Sequence, residues 1–151
     1  MKSETHCDVF VYGTLKPEEA NYVKYCAGKT IAMQRAIAFG ELFALPMGYP
    51  AMTISDRSIH HQIHHQIHGY LLSFKDEIIL ESLDELEDYQ SDRLSSENLY
   101  DRQQIEIFDL TEKSLGLAWV YIMTTEQAIK FGGIVEPDGH WRNPSKAKIA
   151  N

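Results

Sequence analysis

The feature that most limits how this chain folds lies near its start. An apolar run, Val9-Phe10-Val11, stops at Tyr12-Gly13-Thr14-Leu15 and gives way to Lys16-Pro17-Glu18-Glu19. A β-rich run that ends at a glycine and restarts as a helix leaves a turn with free backbone N–H groups. Such groups hold an anion or a developing oxyanion. Asp8 to Tyr12 reads as a buried strand. Pro17 suits the first turn of the helix that follows, and Glu18 and Glu19 suit its positive end.

The rest of the pattern is strand-rich. Thr30 to Leu45 is mostly apolar and broken by Gly40, which predicts two short strands or one bent strand. Leu45-Pro46-Met47-Gly48-Tyr49-Pro50 is a loop by its turn residues. Ile67 to Phe74 is a further strand. Gln104 to Asp109 and Leu117 to Met123, joined by a turn at Leu110 to Gly116, predict an antiparallel hairpin. Thr124 with Gln127 predicts a capped short helix that ends at Gly132-Gly133. Six or seven strands and two or three helices, without βαβ alternation, predict an α+β fold. Its sheet is mainly antiparallel, a closed or partly closed barrel with helices packed outside. No linker interrupts the pattern. A single domain is expected over 8–142, with polar tails at 1–7 and 143–151.

The 151 residues and a hydrophobic fraction of 44% allow one real core. A formal net charge of −8 argues against nucleic acid or an anionic membrane as partner. It leaves a local cationic pocket open. The polar start lacks the apolar stretch of a secretory signal, and no apolar run has the length of a membrane span. Cys7 and Cys26 form neither a disulfide framework nor a CxxC pair, so two reduced thiols in a cytoplasmic protein are expected. The oligomeric state is open.

One internal repeat stands out: His60-His61-Gln62-Ile63, then His64-His65-Gln66-Ile67, then His68. On a helix, His60, His64 and His68 would share a face, and such pairs bind zinc. No HExxH and no neighbouring cysteine or carboxylate completes a ligand set. A tandem duplication in a loop, 56–66, is the simpler account.

The second informative segment is Leu83-Asp84-Glu85-Leu86-Glu87-Asp88-Tyr89, at the end of a helix capped by Asp76. At about 100° per residue, Ile79, Leu83 and Leu86 form one apolar stripe, and Glu87 flanks it. Glu81, Glu85 and Asp88 point away. Glu87 is therefore the carboxylate of this cluster best placed to face the core, provided the helix is regular to its last turn.

Together these residues resemble the γ-glutamylcyclotransferase-like superfamily, which includes the γ-glutamylamine cyclotransferases and the AIG2-like proteins. Phe10-Val11-Tyr12-Gly13-Thr14-Leu15-Lys16 resembles its Tyr-Gly-[Thr/Ser] loop. In the same order, Gly40-Glu41-Leu42-Phe43, Gly48-Tyr49-Pro50-Ala51, Gly69-Tyr70-Leu71-Leu72 and the Leu83 to Tyr89 segment resemble the family's later motifs. Tyr100-x-Arg102 and Ala118-Trp119-x-Tyr121 resemble its closing hairpin. The likeness covers residues 8 to about 123. Two departures concern the entrance loops: Pro17-Glu18-Glu19 stands where the family often has glycine, and 56–66 is inserted. A third is Asp88, which follows the acidic residue where glycine is common. These leave the substrate's identity open.

The resemblance implies cyclisation of a γ-glutamyl group to 5-oxoproline with release of an amine or amino acid, without metal or organic cofactor. It implies Glu87 as general base and then general acid. Desolvation beside Leu83 and Leu80 would raise its pKa toward neutrality. Backbone N–H groups around Gly13, Thr14 and Leu15 would hold the substrate carboxylate or the tetrahedral oxyanion. Tyr12, Tyr100, Arg102 and Tyr121 complete the expected substrate-binding set. Arg102 could equally be one of a strand pair on the sheet surface. The alternative is a non-catalytic protein that binds a small carboxylate metabolite on the same fold. An occluded pocket, or Glu87 held in a salt bridge, would favour it. A metal-responsive protein acting through His60 to His68 is a third reading.

Overall fold

A computed structural model describes residues 6–54, 65–94 and 97–144. In chain order the elements are β1 (Cys7–Val11), α1 (Ala20–Tyr25), β2 (Thr30–Ala44), β3 (Pro50–Ile54), β4 (Gln66–Phe74), α2 (Ile79–Leu86), β5 (Asp101–Phe108), β6 (Ser114–Ile122), α3 (Thr125–Lys130) and β7 (Ile134–Val135). Five of the strands close a barrel in the order β2-β4-β1-β6-β5, and β5 returns to β2 at Phe108 opposite Ile37. The pairings are antiparallel except β1 with β6, which meet in parallel at Val9 and Trp119. No helix among the described residues is long and apolar enough to cross a membrane.

β2 resolves the choice left by Gly40. It is one strand of 15 residues that changes partners there. Its first part pairs with β4 as far as Phe39, and from Gly40 to Ala44 it pairs with β3. A Cβ on Gly40 would lie 1.9 Å from the Thr53 carbonyl oxygen, so only glycine permits the approach. β3 and β7 are additions to the sequence reading, which treats Pro50 as the end of a loop. Proline at the first residue of a strand is compatible with the ladder.

Alternation along the strands divides the core. Phe10, Tyr12, Ala36, Ala38, Leu71 and Val120 belong to one buried cluster, which fills the barrel together with Trp141. Val9, Val11, Leu72, Tyr121 and Met123 belong to a second cluster with Ile79, Leu80 and Leu83 of α2. β1 is therefore buried on both faces, which is why it reads as a continuous apolar run.

Three helix ends differ from expectation. α1 begins at Ala20, not near Pro17. Lys16 and Glu19 are buried in tertiary contacts instead: Lys16 Nζ donates to the Trp141 carbonyl at 2.8 Å, and Asn143 Nδ2 donates to Glu19 Oε1 at 2.8 Å. α2 ends at Leu86, not Tyr89. Nor does Asp76 cap its start: α2 begins at Ile79 with no side-chain cap, and Asp76 instead accepts the Ile78 N–H at 3.0 Å in the turn before it. Its end is a Schellman turn. The Tyr89 N–H donates to the Asp84 carbonyl, the Asp88 N–H donates to the Glu85 carbonyl, and Asp88 is left-handed at φ 56°. Asp88 thus occupies the position where a helix C-terminus favours glycine.

Candidate active site

β1, β3, β6 and α2 converge on one cavity of about 210 Å³. Its lining includes the turn Tyr12-Gly13-Thr14-Leu15, then Asn21, Tyr49, Pro50, Leu86, Glu87, Leu99, Tyr100 and Tyr121. The volume is below the roughly 300 Å³ at which drug-sized sites begin, so it suits one small head group with the remainder outside the mouth.

Hydrogen bonds between distant strands build the wall. The Tyr12 hydroxyl donates to the Tyr121 carbonyl at 2.6 Å and accepts from the Met52 N–H at 3.2 Å, tying β1 to β6 and β3. The Tyr100 hydroxyl donates to the Pro50 carbonyl at 2.6 Å. Pro50 in turn presses on the turn: a Cβ on Gly13 would lie 2.4 Å from its Cγ. Burial pushes the Tyr12, Tyr100 and Tyr121 hydroxyls well above the usual tyrosine range, so they remain neutral. Each has its proton committed to a protein acceptor, and what they offer a ligand is ring surface and remaining lone pairs.

Backbone donors left over lie on the turn. The Lys16 N–H closes it onto the Gly13 carbonyl at 3.0 Å. The backbone N–H groups of Thr14 and Leu15 donate to no acceptor among the described residues.

Two acidic residues at the end of α2 have different surroundings. Asp84 accepts both contacts from Arg102 Nη1, at 3.0 and 2.8 Å, and the Tyr121 hydroxyl at 2.7 Å. Glu87 follows the last helical residue, with its N–H on the Leu83 carbonyl at 2.9 Å. Its carboxyl lines the cavity and has neither a hydrogen-bond donor nor a counter-ion among the described residues. Burial pushes its pKa from 4.5 to about 7. A carboxyl near that value is charged and neutral in comparable amounts at neutral pH, as a group that takes and returns protons requires.

The structure brings Tyr12, Gly13, Thr14, Leu15, Glu87, Tyr100 and Tyr121 to the cavity. Arg102, the remaining member of the expected set, does not line it. Its guanidinium is bound by Asp84 and lies 4.6 Å from the Trp119 ring centre and 5.2 Å from that of Tyr89. It braces Asp84, and through it Tyr121. Sequence reasoning missed Asp84 as the partner of both, although all three stand inside matched motifs. It also missed Asn21 and Tyr49. Asn21 has no signal in the apolar spacing of α1, and Tyr49 stands inside a matched family motif, Gly48-Tyr49-Pro50-Ala51, to which the sequence reading gives no role.

Of the histidine repeat, His60, His61 and His64 lie outside the described residues. His65 Nδ1 is 3.9 Å from Glu41 Oε2, and the His68 ring stacks on His140 with centres 4.1 Å apart. Among the described residues no three potential ligands cluster as a metal site. Cys7 and Cys26 are free thiols, and burial pushes both up to about 11.

Three comparisons bear on this arrangement. Among curated proteins no sequence matches this chain. A crystal structure of a mouse AIG2-like protein is 20% identical with a TM-score of 0.64, covering 95% of this chain and 94% of that one. The crystal structure of YkqA from Bacillus subtilis is also 20% identical, with a TM-score of 0.62; the match covers 97% of this chain but only 43% of YkqA. An uncharacterised human protein is 15% identical with a TM-score of 0.54, covering 97% and 98%. These likenesses establish the α+β barrel. The family model described as gamma-glutamyl cyclotransferase, AIG2-like, matches residues 9–143, and the chain belongs to that family.

Proposed function

We propose that this protein is a γ-glutamyl cyclotransferase that converts a small γ-glutamyl compound to 5-oxoproline and releases an amine or amino acid. The observation that carries this reading is the Glu87 carboxyl, unpaired among the described residues, in a cavity whose lining also holds the Thr14 and Leu15 N–H groups, which have no described acceptor. A carboxyl held in a salt bridge would suit a binding protein instead.

The substrate's α-nitrogen attacks its own γ-carbonyl carbon, and the bond from that carbon to the departing nitrogen breaks. Between ammonium and lactam the α-nitrogen loses two protons. The departing nitrogen gains two and leaves as an ammonium. One carboxyl near neutrality, passing each proton in turn, closes this balance. Charge developing on the γ-oxygen needs donors aimed at it, and the Thr14 and Leu15 N–H groups would supply them. A donor of this kind contributes about 3–4 kcal/mol of transition-state stabilisation. Tyr12, Tyr100 and Tyr121 form the walls that exclude water. No step in this account calls for a metal or organic cofactor.

The test is 5-oxoproline release, followed by mass spectrometry over a panel of γ-glutamyl amines, amino acids and peptides. Wild type should release it from at least one compound. Glu87→Gln, still folded, should be slower by about a hundred- to ten-thousandfold, the range for losing a positioned acid–base group. Equal rates would show that Glu87 is not the base. Binding without release across the panel would favour the metabolite-binding alternative.

A further inference from the structure

A γ-glutamyl head brings two oxygen-rich groups into the cavity: the α-carboxylate, charged throughout, and the γ-carbonyl, which becomes an oxyanion. Both need donors. None of the cavity-lining residues is Lys, Arg or His. Lys16, next to the turn, is buried with its ammonium on the Trp141 carbonyl, and Arg102 is held by Asp84. The three wall tyrosines at positions 12, 100 and 121 have committed their protons. Two adjacent N–H groups on one short turn serve one of the two oxygen groups, and the other falls to a side chain: of Thr14, Asn21 and Tyr49, the lining side chains that donate to no described residue, only the Asn21 amide offers two donors.

Asn21 meets that requirement. It lines the cavity from the first turn of α1 and is partly buried. Its side-chain amide makes no hydrogen bond to any described residue, whereas Asn98 and Asn143 are both bound. Nor does it cap its helix: the cap position is Glu19, and no side chain closes that cap. An amide NH₂ offers two donors without a positive charge, so it can hold a carboxylate without forming an ion pair with Glu87. We infer that Asn21 binds the α-carboxylate of the substrate, leaving the Thr14 and Leu15 N–H groups to the γ-oxygen. This rests on the γ-glutamyl reading above. It makes Asn21 a specificity-determining residue that selects compounds keeping a free α-carboxylate.

5-Oxoproline retains that carboxylate and provides a readout independent of catalysis. Its affinity should be measured by calorimetry for wild type, Asn21→Ala and Asn21→Asp, each confirmed folded by an unchanged thermal midpoint. Loss of a hydrogen bond to a charged group should weaken binding about ten- to a hundredfold in the alanine variant. The aspartate variant is nearly the same shape but sets a negative charge against the carboxylate, so it should bind more weakly still. Alanine binding like wild type, or aspartate binding as tightly as alanine, overturns the inference. Should wild type bind 5-oxoproline but never form it, only the catalytic reading fails. If it binds neither 5-oxoproline nor any γ-glutamyl compound, both fail together.

Discussion

Asp84 and Glu87 stand three residues apart at the end of one helix, and their surroundings are opposite. Asp84 is held by a guanidinium and a tyrosine hydroxyl, and its side chain is 25% exposed. Glu87, one step past the last helical residue, faces a cavity with no cation in its lining. The comparison teaches that placement alone does not make a carboxyl reactive. Near the same wall, one carboxyl is fixed by its partners and organises the site, while the other is left unpaired and desolvated. The helix stops at Leu86, and the Schellman turn leads the chain from Glu87 away through Asp88.

The largest effect on stability is expected at Glu87. A carboxyl raised from 4.5 to about 7 is one the fold prefers neutral. The unfolded chain gives up this proton near 4.5. The native state therefore loses stability as pH rises from 4.5 to about 7, by about 3 kcal/mol in all, and the loss levels off above that. Glu87→Gln removes the charge. It should be about 3 kcal/mol more stable than wild type at pH 8, and the gap should close by pH 4.5. Urea unfolding over this range measures it, and a gap that does not change with pH would break the contrast.

Asp84→Asn tests the other half. It leaves the Arg102 cation without its partner in a largely buried setting. A cost of about 2 kcal/mol is expected, below the usual range for a fully buried pair because both groups are partly exposed. 5-Oxoproline release should fall only several-fold, through displacement of Tyr121. A folded Asp84→Asn protein as inactive as Glu87→Gln would mean that the roles of the two carboxyls are not divided in this way.

The smallest effect is expected at Asp88. A left-handed residue other than glycine is strained by up to about 1 kcal/mol, somewhat less for aspartate. Asp88→Gly should therefore be neutral or stabilising by less than that. It loses an exposed contact with Arg93 but keeps the Arg93 bond to its own carbonyl at 2.9 Å. A clear destabilisation would show that the aspartate side chain, not the turn, secures the helix end.

The parts of this site that were legible in the sequence are those set by local chemistry. The turn after β1, the stripe of α2 and the flanking position of Glu87 follow from residue spacing. The hairpin of β5 and β6 follows from alternation, and its register runs from Asp101 opposite Ile122 to Phe108 opposite Ser114. What escaped depends on distant partners. β3 is a strand because β2 offers it an edge beyond Gly40, not because of its own five residues. α1 starts late because Lys16 and Glu19 are drawn to residues 141 and 143. Arg102 reads as a substrate-binding residue or one of a strand pair on the sheet surface until Asp84, 18 residues earlier, is seen to hold it. Asn21 is polar on a short helix, and nothing in sequence marks it as facing a cavity.

The most direct test of the central claim is the titration of Glu87 itself, by carboxyl-carbon NMR of labelled protein with Glu87→Gln used to assign the signal. A midpoint at about 7 is predicted, because burial without a partner disfavours the charge. A midpoint at the ordinary glutamate value of about 4.3 would contradict the account, since the carboxyl would then be solvated or paired and no longer poised to carry protons.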